Sequence, residues 1–100
     1  MPSTDIQLDE KIKVKISEPK RWKVILLNDD STPMDFVISI LVEVFKHTID
    51  TSKEIMLQVH ETGSGIAGVY SFEIAEAKAV EATQQARTSG FPLQIKLEEE

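Results

Sequence analysis

Between residues 22 and 37 the chain changes pattern twice, and those changes constrain the fold more than any other feature. Trp22 to Leu27 is short, apolar and rich in Val, Ile and Leu, which predicts a strand buried on at least one face. It stops at Asn28-Asp29-Asp30, residues that favour turns. Thr32-Pro33-Met34-Asp35 then reads as a helix start. Thr32 can cap, Pro33 suits the first helical position, and Asp35 sits where a capping-box acid belongs. A buried strand therefore runs through a tight polar turn directly into a helix.

The rest of the chain extends this pattern. Phe36, Val37, Ile40, Leu41, Val44 and Phe45 recur at helical spacing, predicting a helix to about His47. A second helix is expected from Thr51, with Glu54 three residues on and Ile55, Met56 and Val59 turned inward, ending near His60 or Glu61. Gly63-Ser64-Gly65 marks a turn into a short strand, Ile66 to Tyr70, with Gly68 as a bulge or point of close approach. A third helix opens at Ser71 or Phe72. Its Ala75, Ala79, Ala82 and Ala86 repeat at helical spacing, and such small residues allow close packing on a sheet. Gly90 stops it and Pro92 follows. Leu93, Ile95 and Leu97 alternate with Gln94 and Lys96, predicting a last strand with one wet face. The order is β-α-α-β-α-β. It predicts an α+β fold: a single small domain over residues 21–100, with a three-stranded sheet and three helices on one face. Residues 1–20 are polar and are expected to form a flexible N-terminal arm, although Ile12 to Ile16 alternates.

A chain of 100 residues leaves room for one core and little else. The net charge is −6, and no basic stripe with interleaved aromatics is present, which argues against nucleic acid as a partner. The absence of cysteine removes disulfides, thiol catalysis and Cys-based zinc sites. No apolar run approaches the ~20 residues of a membrane span, and the N-terminus shows no signal or transit pattern. The expectation is a cytoplasmic protein that binds neither membrane nor nucleic acid.

Three groups of residues could carry chemistry. Asn28-Asp29-Asp30 is either an ordinary turn or a site for a cation, since Asn offers a carbonyl oxygen and Asp a carboxylate to an ammonium group. His60, at a helix end, either interacts with helix carbonyls or supplies a third acceptor if the fold brings it beside Asn28 and Asp30. Met34, Val37, Met56 and Val59 are either plain core or the wall of a pocket. Methionine is a common filler of adaptable pockets, and a pocket needs apolar walls with a few polar groups at its mouth. His47 and His60 share no metal-binding pattern, no nucleophile elbow or glycine-rich phosphate loop is present, and no cofactor is expected.

The run Val24-Ile25-Leu26-Leu27-Asn28-Asp29-Asp30-Ser31-Thr32-Pro33-Met34-Asp35-Phe36-Val37 resembles the signature of the ClpS family, adaptors of Clp proteases. Met56-Leu57-Gln58-Val59-His60, Gly68-Val69-Tyr70, Ala75-Glu76-Ala77-Lys78 and Pro92-Leu93 resemble later elements of that family, in order and at matching spacing. The resemblance runs from about Trp22 to Leu97. It implies a non-enzymatic adaptor that binds the N-terminal destabilising residue (Phe, Tyr, Trp or Leu) of a substrate protein. The substrate then passes to the N-terminal domain of a ClpA- or ClpC-type AAA+ unfoldase for degradation by ClpP. It also implies that Asn28, Asp30 and His60 hold the substrate α-amino group. Thr32, Met34, Val37, Met56, Val59 and Leu93 line the side-chain pocket, Glu73 and Lys78 contact the unfoldase, and the arm helps in handover. Ser31 and Glu61 stand where the family often has an aromatic residue. Two other readings remain: a structural interaction module with an outline like the ribosomal stalk domain, and a small hydrolase using Asp30 and His60.

Overall fold

The computed structural model describes residues 20–100. Apart from Lys20, the expected arm lies outside the described residues. The elements are β1 (Arg21–Leu27), α1 (Met34–Glu43), α2 (Ile49–Thr62), β2 (Ser64–Ser71), α3 (Phe72–Thr88) and β3 (Gln94–Glu99). This is the order expected from the sequence. β1 is the centre of a three-stranded sheet of order β2-β1-β3, antiparallel to both neighbours.

The helices cover one face of that sheet. Val24, Leu26 and Ala67 from the strands join Val37, Ile40, Leu41, Met56, Val59, Ala75, Ala82 and Ala86 in one buried core. The other face carries charge: Lys23 pairs with Glu98 at 3.3 Å and Lys96 with Glu98 at 3.6 Å. Strand residues alternate between faces, so the inward Val24 and Leu26 set the register that turns Lys23 outward. Ala75, Ala82 and Ala86 lie on the sheet-facing side of α3 and are fully buried, whereas Ala77 faces solvent. Small side chains there let the helix backbone approach the sheet.

Several local expectations are corrected. Thr32 does not cap α1: the cap position is Pro33, it has no side-chain cap bond, and the helix opens at Met34. The helix ends at Glu43, short of His47, because Lys46 adopts φ 63 and turns the chain. α2 begins before Thr51, since Thr48 accepts the Thr51 N–H and caps the helix. β2 is longer than predicted, and its register shifts where Val24 faces Gly68 and Ile25 faces Ile66. Ala67 is the extra residue of that bulge. The end of α3 follows the prediction. Gly90 has φ +83, its N–H donates to Arg87 O and that of Phe91 to Ala86 O, the two bonds of a Schellman motif.

Candidate functional site

At one end of the sheet three strand termini meet. Leu27 pairs with Ser64 on one side and Gln94 on the other, so the residues just beyond are Asn28, Gly63 and Leu93. The Asn28 N–H donates to Gly63 O at 2.9 Å. Gly63 is the C-cap of α2 at φ 93, and its own N–H donates to Val59 O, a backbone shape that suits glycine. Gly65, two residues on, has no room for a side chain: a Cβ there would lie 2.7 Å from Val59 Cγ2. The close approach of β2 to α2 thus fixes where Val59 sits.

A small pocket opens at this end, lined by Leu27, Asn28, Asp29, Thr32, Val37, Met56, Val59 and Leu93 and holding about 190 Å³ of unfilled space that is partly open to solvent. Its floor is apolar: Val37, Met56, Val59 and Leu93 are each at most 4% exposed. Thr32 is half-buried and Asn28 exposed at the rim. The enclosed part is tight, with room for about one water-sized sphere. A group larger than that would have to part the walls, and the flexible thioether of Met56 is the wall best able to yield. A wider, shallower hollow lies at the opposite end of the sheet among Arg21, Tyr70, Ser71 and Ile74. Arg21 at its rim is already bonded to Val69 O.

The loop between β1 and α1 is organised by Asp29. Its Oδ1 accepts the N–H of Ser31 at 2.8 Å and of Thr32 at 2.7 Å, and its Oδ2 accepts the Thr32 hydroxyl at 2.8 Å. Partial burial pushes the Asp29 carboxyl up, but the Thr32 hydroxyl, the Thr32 and Ser31 N–H groups and the charge of Arg87 outweigh it and hold the group below its usual range. Arg87 also donates to Phe91 O at 2.9 Å and Leu93 O at 2.8 Å, pinning the segment that delivers Leu93 to the pocket.

Of the residues singled out in the sequence, Asn28, Thr32, Val37, Met56, Val59 and Leu93 line this pocket. Met34 does not; it is 41% exposed at the first turn of α1. Asp30 and His60 also stand outside the lining: Asp30 is exposed on the loop, and His60 is exposed on the last turn of α2 beside Val59. Among the described residues, the side chains of Asn28, Asp30 and His60 take part in no hydrogen bond. Glu73 is exposed in the first turn of α3. Lys78 is held within the domain, donating to Val44 O at 2.8 Å and lying 5.4 Å from the Tyr70 ring centroid. Sequence reasoning missed Leu27 and Asp29 as pocket residues. The signal for Asp29 was available, since an Asp two and three residues before backbone N–H groups at a helix entry is a local hydrogen-bonding motif.

A small recess with a buried apolar floor and polar groups at its rim is the form of a binding module. The model of the family described as ATP-dependent Clp protease adaptor protein ClpS matches residues 17–96. An ATP-dependent Clp protease adapter protein ClpS of Campylobacter jejuni is 50% identical over 88 residues, covering 88% of this chain and 92% of that one. One from Bdellovibrio bacteriovorus is 52% identical over 86 residues, covering 86% and 75%. A solved structure, Agrobacterium tumefaciens ClpS2 bound to L-phenylalaninamide, superposes with a TM-score of 0.80 at 44% identity, covering 83% of this chain and all of that one. The chain belongs to the ClpS family, adaptors of the Clp protease rather than proteases themselves.

Proposed function

We propose that this chain is an N-degron receptor. It captures substrates through an N-terminal Phe, Tyr, Trp or Leu and delivers them, in the cytoplasm, to a ClpA- or ClpC-type unfoldase working with ClpP. The first side chain enters the recess over Val37, Met56, Val59 and Leu93, while Asn28, Asp30 and His60 take the α-ammonium. The observation that carries this reading is the buried apolar floor directly beside Asn28, with Asp30 and His60 on the two segments that flank it. The relative's ligand, phenylalaninamide, has both groups such a site would need: an apolar side chain and a free α-amino group.

Specificity follows from requiring both. An acetylated or internal residue offers no ammonium and leaves acceptors unpaired, at about 1–3 kcal/mol each where they are desolvated. Glu73 and Lys78 belong to the face that meets the unfoldase, and residues 1–20 assist handover. Fluorescence anisotropy with a Phe-initiated peptide and its acetylated twin tests the receptor reading. Binding of the first and loss of the second is expected, and equal binding of both overturns it.

A further inference from the structure

We propose that Asp29, to which the family resemblance assigns no role, is the positioning residue of this pocket and acts through Thr32. The proposal rests on the N-degron reading and adds a residue to it. Three hydrogen bonds carry it. The Ser31 and Thr32 N–H groups converge on Oδ1, and the Thr32 hydroxyl donates to Oδ2. Thr32 has one hydroxyl proton, and it is spent on the carboxylate. The χ1 angle of Thr32, already limited by branching at Cβ, is thereby fixed.

The consequence concerns the pocket wall. Asp29 and Thr32 both line the recess, yet Thr32 brings no free donor into it. An apolar side chain entering there leaves no hydroxyl proton unsatisfied. The same clamp closes the short loop between Asn28, bonded to Gly63 O, and Pro33, where α1 begins. Asp30 lies between those two fixed points, so the direction of its carboxylate depends on a loop that Asp29 folds. Both Asp29 oxygens are engaged by the loop, and the ammonium is assigned to Asn28, Asp30 and His60.

The variants separate these contributions. Asp29→Asn retains an oxygen for the two backbone N–H groups but puts an NH₂ where Oδ2 was, so the Thr32 hydroxyl must turn its proton elsewhere. Asp29→Ala removes both functions. Thr32→Val keeps the shape and deletes the hydroxyl. Affinity for a Phe-initiated peptide should fall roughly tenfold or more in Asp29→Ala and about threefold to tenfold in Asp29→Asn. In a Thr32→Val background, adding Asp29→Asn should cost less than about twofold, because residues acting through one contact are not additive. A merely structural Asp29 would give the same loss in both backgrounds, and that result overturns the proposal, as does Asp29→Ala binding like wild type.

Amide exchange in the free protein supplies an arm that needs no ligand. Exchange at Ser31 and Thr32 should accelerate in Asp29→Ala and stay near wild type in Asp29→Asn. Unchanged exchange in Asp29→Ala overturns the clamp. A wild-type protein that ignores the Phe-initiated peptide defeats the N-degron reading and the pocket role together, and the exchange arm then decides the loop alone.

Discussion

The backbone N–H of Asn28 donates to the carbonyl of Gly63 at 2.9 Å, so the end of the central strand and the end of α2 are joined at one point. That bond sets Asn28 beside the cap of the helix that carries Met56, Val59 and His60. Residues far apart in sequence become neighbours because β1 is central and both its partners run antiparallel to it.

Removing an acceptor from the rim should weaken peptide binding without unfolding the domain. Asp30 is exposed and bonded to nothing among the described residues, so Asp30→Ala should leave thermal stability within about 0.5 kcal/mol. Affinity for a Phe-initiated peptide should drop by about 1.5–3 kcal/mol, the worth of a hydrogen bond to a charged group. Titration calorimetry alongside a thermal melt measures both. Unchanged affinity would remove Asp30 from the site.

Gly65→Ala should damage pocket and stability together. The added Cβ would sit 2.7 Å from Val59 Cγ2 and 3.4 Å from Ile55 O. The Ile55 contact is an ordinary one, but the Val59 side chain is buried and must shift. A cost of about 1–3 kcal/mol is expected for overpacking of this kind, with weaker peptide binding because Val59 is part of the floor. Denaturant melts and peptide affinity on the same variant provide the measurement. A variant as stable as wild type would show that α2 can shift away from β2.

The folded chain should lose part of its stability in acid through Asp29. Its carboxyl is held below the usual value of about 3.9. A depressed carboxyl contributes stability that is fully present above the unfolded value and is lost as pH falls through the lower folded value. Below about pH 4, then, wild type should lose stability more steeply than Asp29→Asn, and above about pH 5 the contribution should be constant. Urea melts across pH 2.5–7 compare the two (a window chosen to bracket the carboxylate range of about 3–5). Parallel curves would mean that the loop bonds do not distinguish the ionised acid.

The elements themselves were legible because burial follows period: Val24 and Leu26, Ala75 with Ala82 and Ala86, and Gly90 at a helix end all behave as their spacing predicts. The end of α1 was not legible, and the reason is physical. Val44 and Phe45 stay buried and keep the helical spacing, although the chain leaves the helix before them and turns at Lys46. Periodicity reports which side chains are buried, not which hydrogen bonds the backbone makes. The same limit hid the start of α2, where Thr48 and Thr51 are equally plausible caps by composition and only the bond from Thr51 N–H to Thr48 Oγ1 chooses between them. Asp29 was legible in principle, since its place two and three residues before Ser31 and Thr32 is that of an Asp that bends back on a loop. What the pattern did not show is that the same loop lines the pocket.

Glu73 and Lys78 should separate under mutation. Glu73 is exposed in the first turn of α3, whereas Lys78 ties α3 to the end of α1 through Val44 O. Glu73→Lys should leave peptide affinity unchanged and stability lower by no more than about 0.3–1 kcal/mol, the worth of a charge near a helix N-terminus. It should weaken binding to the unfoldase N-terminal domain. Lys78→Ala should lower stability by about 1–3 kcal/mol, because it strips a partner from a backbone carbonyl. Any loss of unfoldase binding in that variant is then read against its melt. Glu73→Lys that binds the unfoldase like wild type would exclude Glu73 from the docking face.

Met34 offers the sharpest test of how the pocket chooses among side chains. Plain core packing predicts a loss of about 2–5 kcal/mol for a buried Met→Ala change. The position argues against that, since Met34 is 41% exposed at the first residue of α1 and is absent from the pocket floor. It is placed two residues beyond Thr32, where a long flexible side chain can lean over the entrance. Val and Ile carry two heavy atoms on Cβ and are stiff at χ1, so they cannot swing away from a wall beside the peptide backbone, while Phe and Leu branch further out. Met34→Ala should therefore cost less than about 1 kcal/mol of stability, in keeping with its exposure. It should improve binding of Ile- and Val-initiated peptides and weaken Phe only moderately. Affinities for Phe-, Leu-, Ile- and Val-initiated peptides, measured on both proteins beside thermal melts, decide the matter. If the variant ranks the four peptides as wild type does, Met34 does not select among them, and any discrimination against branched residues comes from the tight floor formed by Val37, Met56 and Val59.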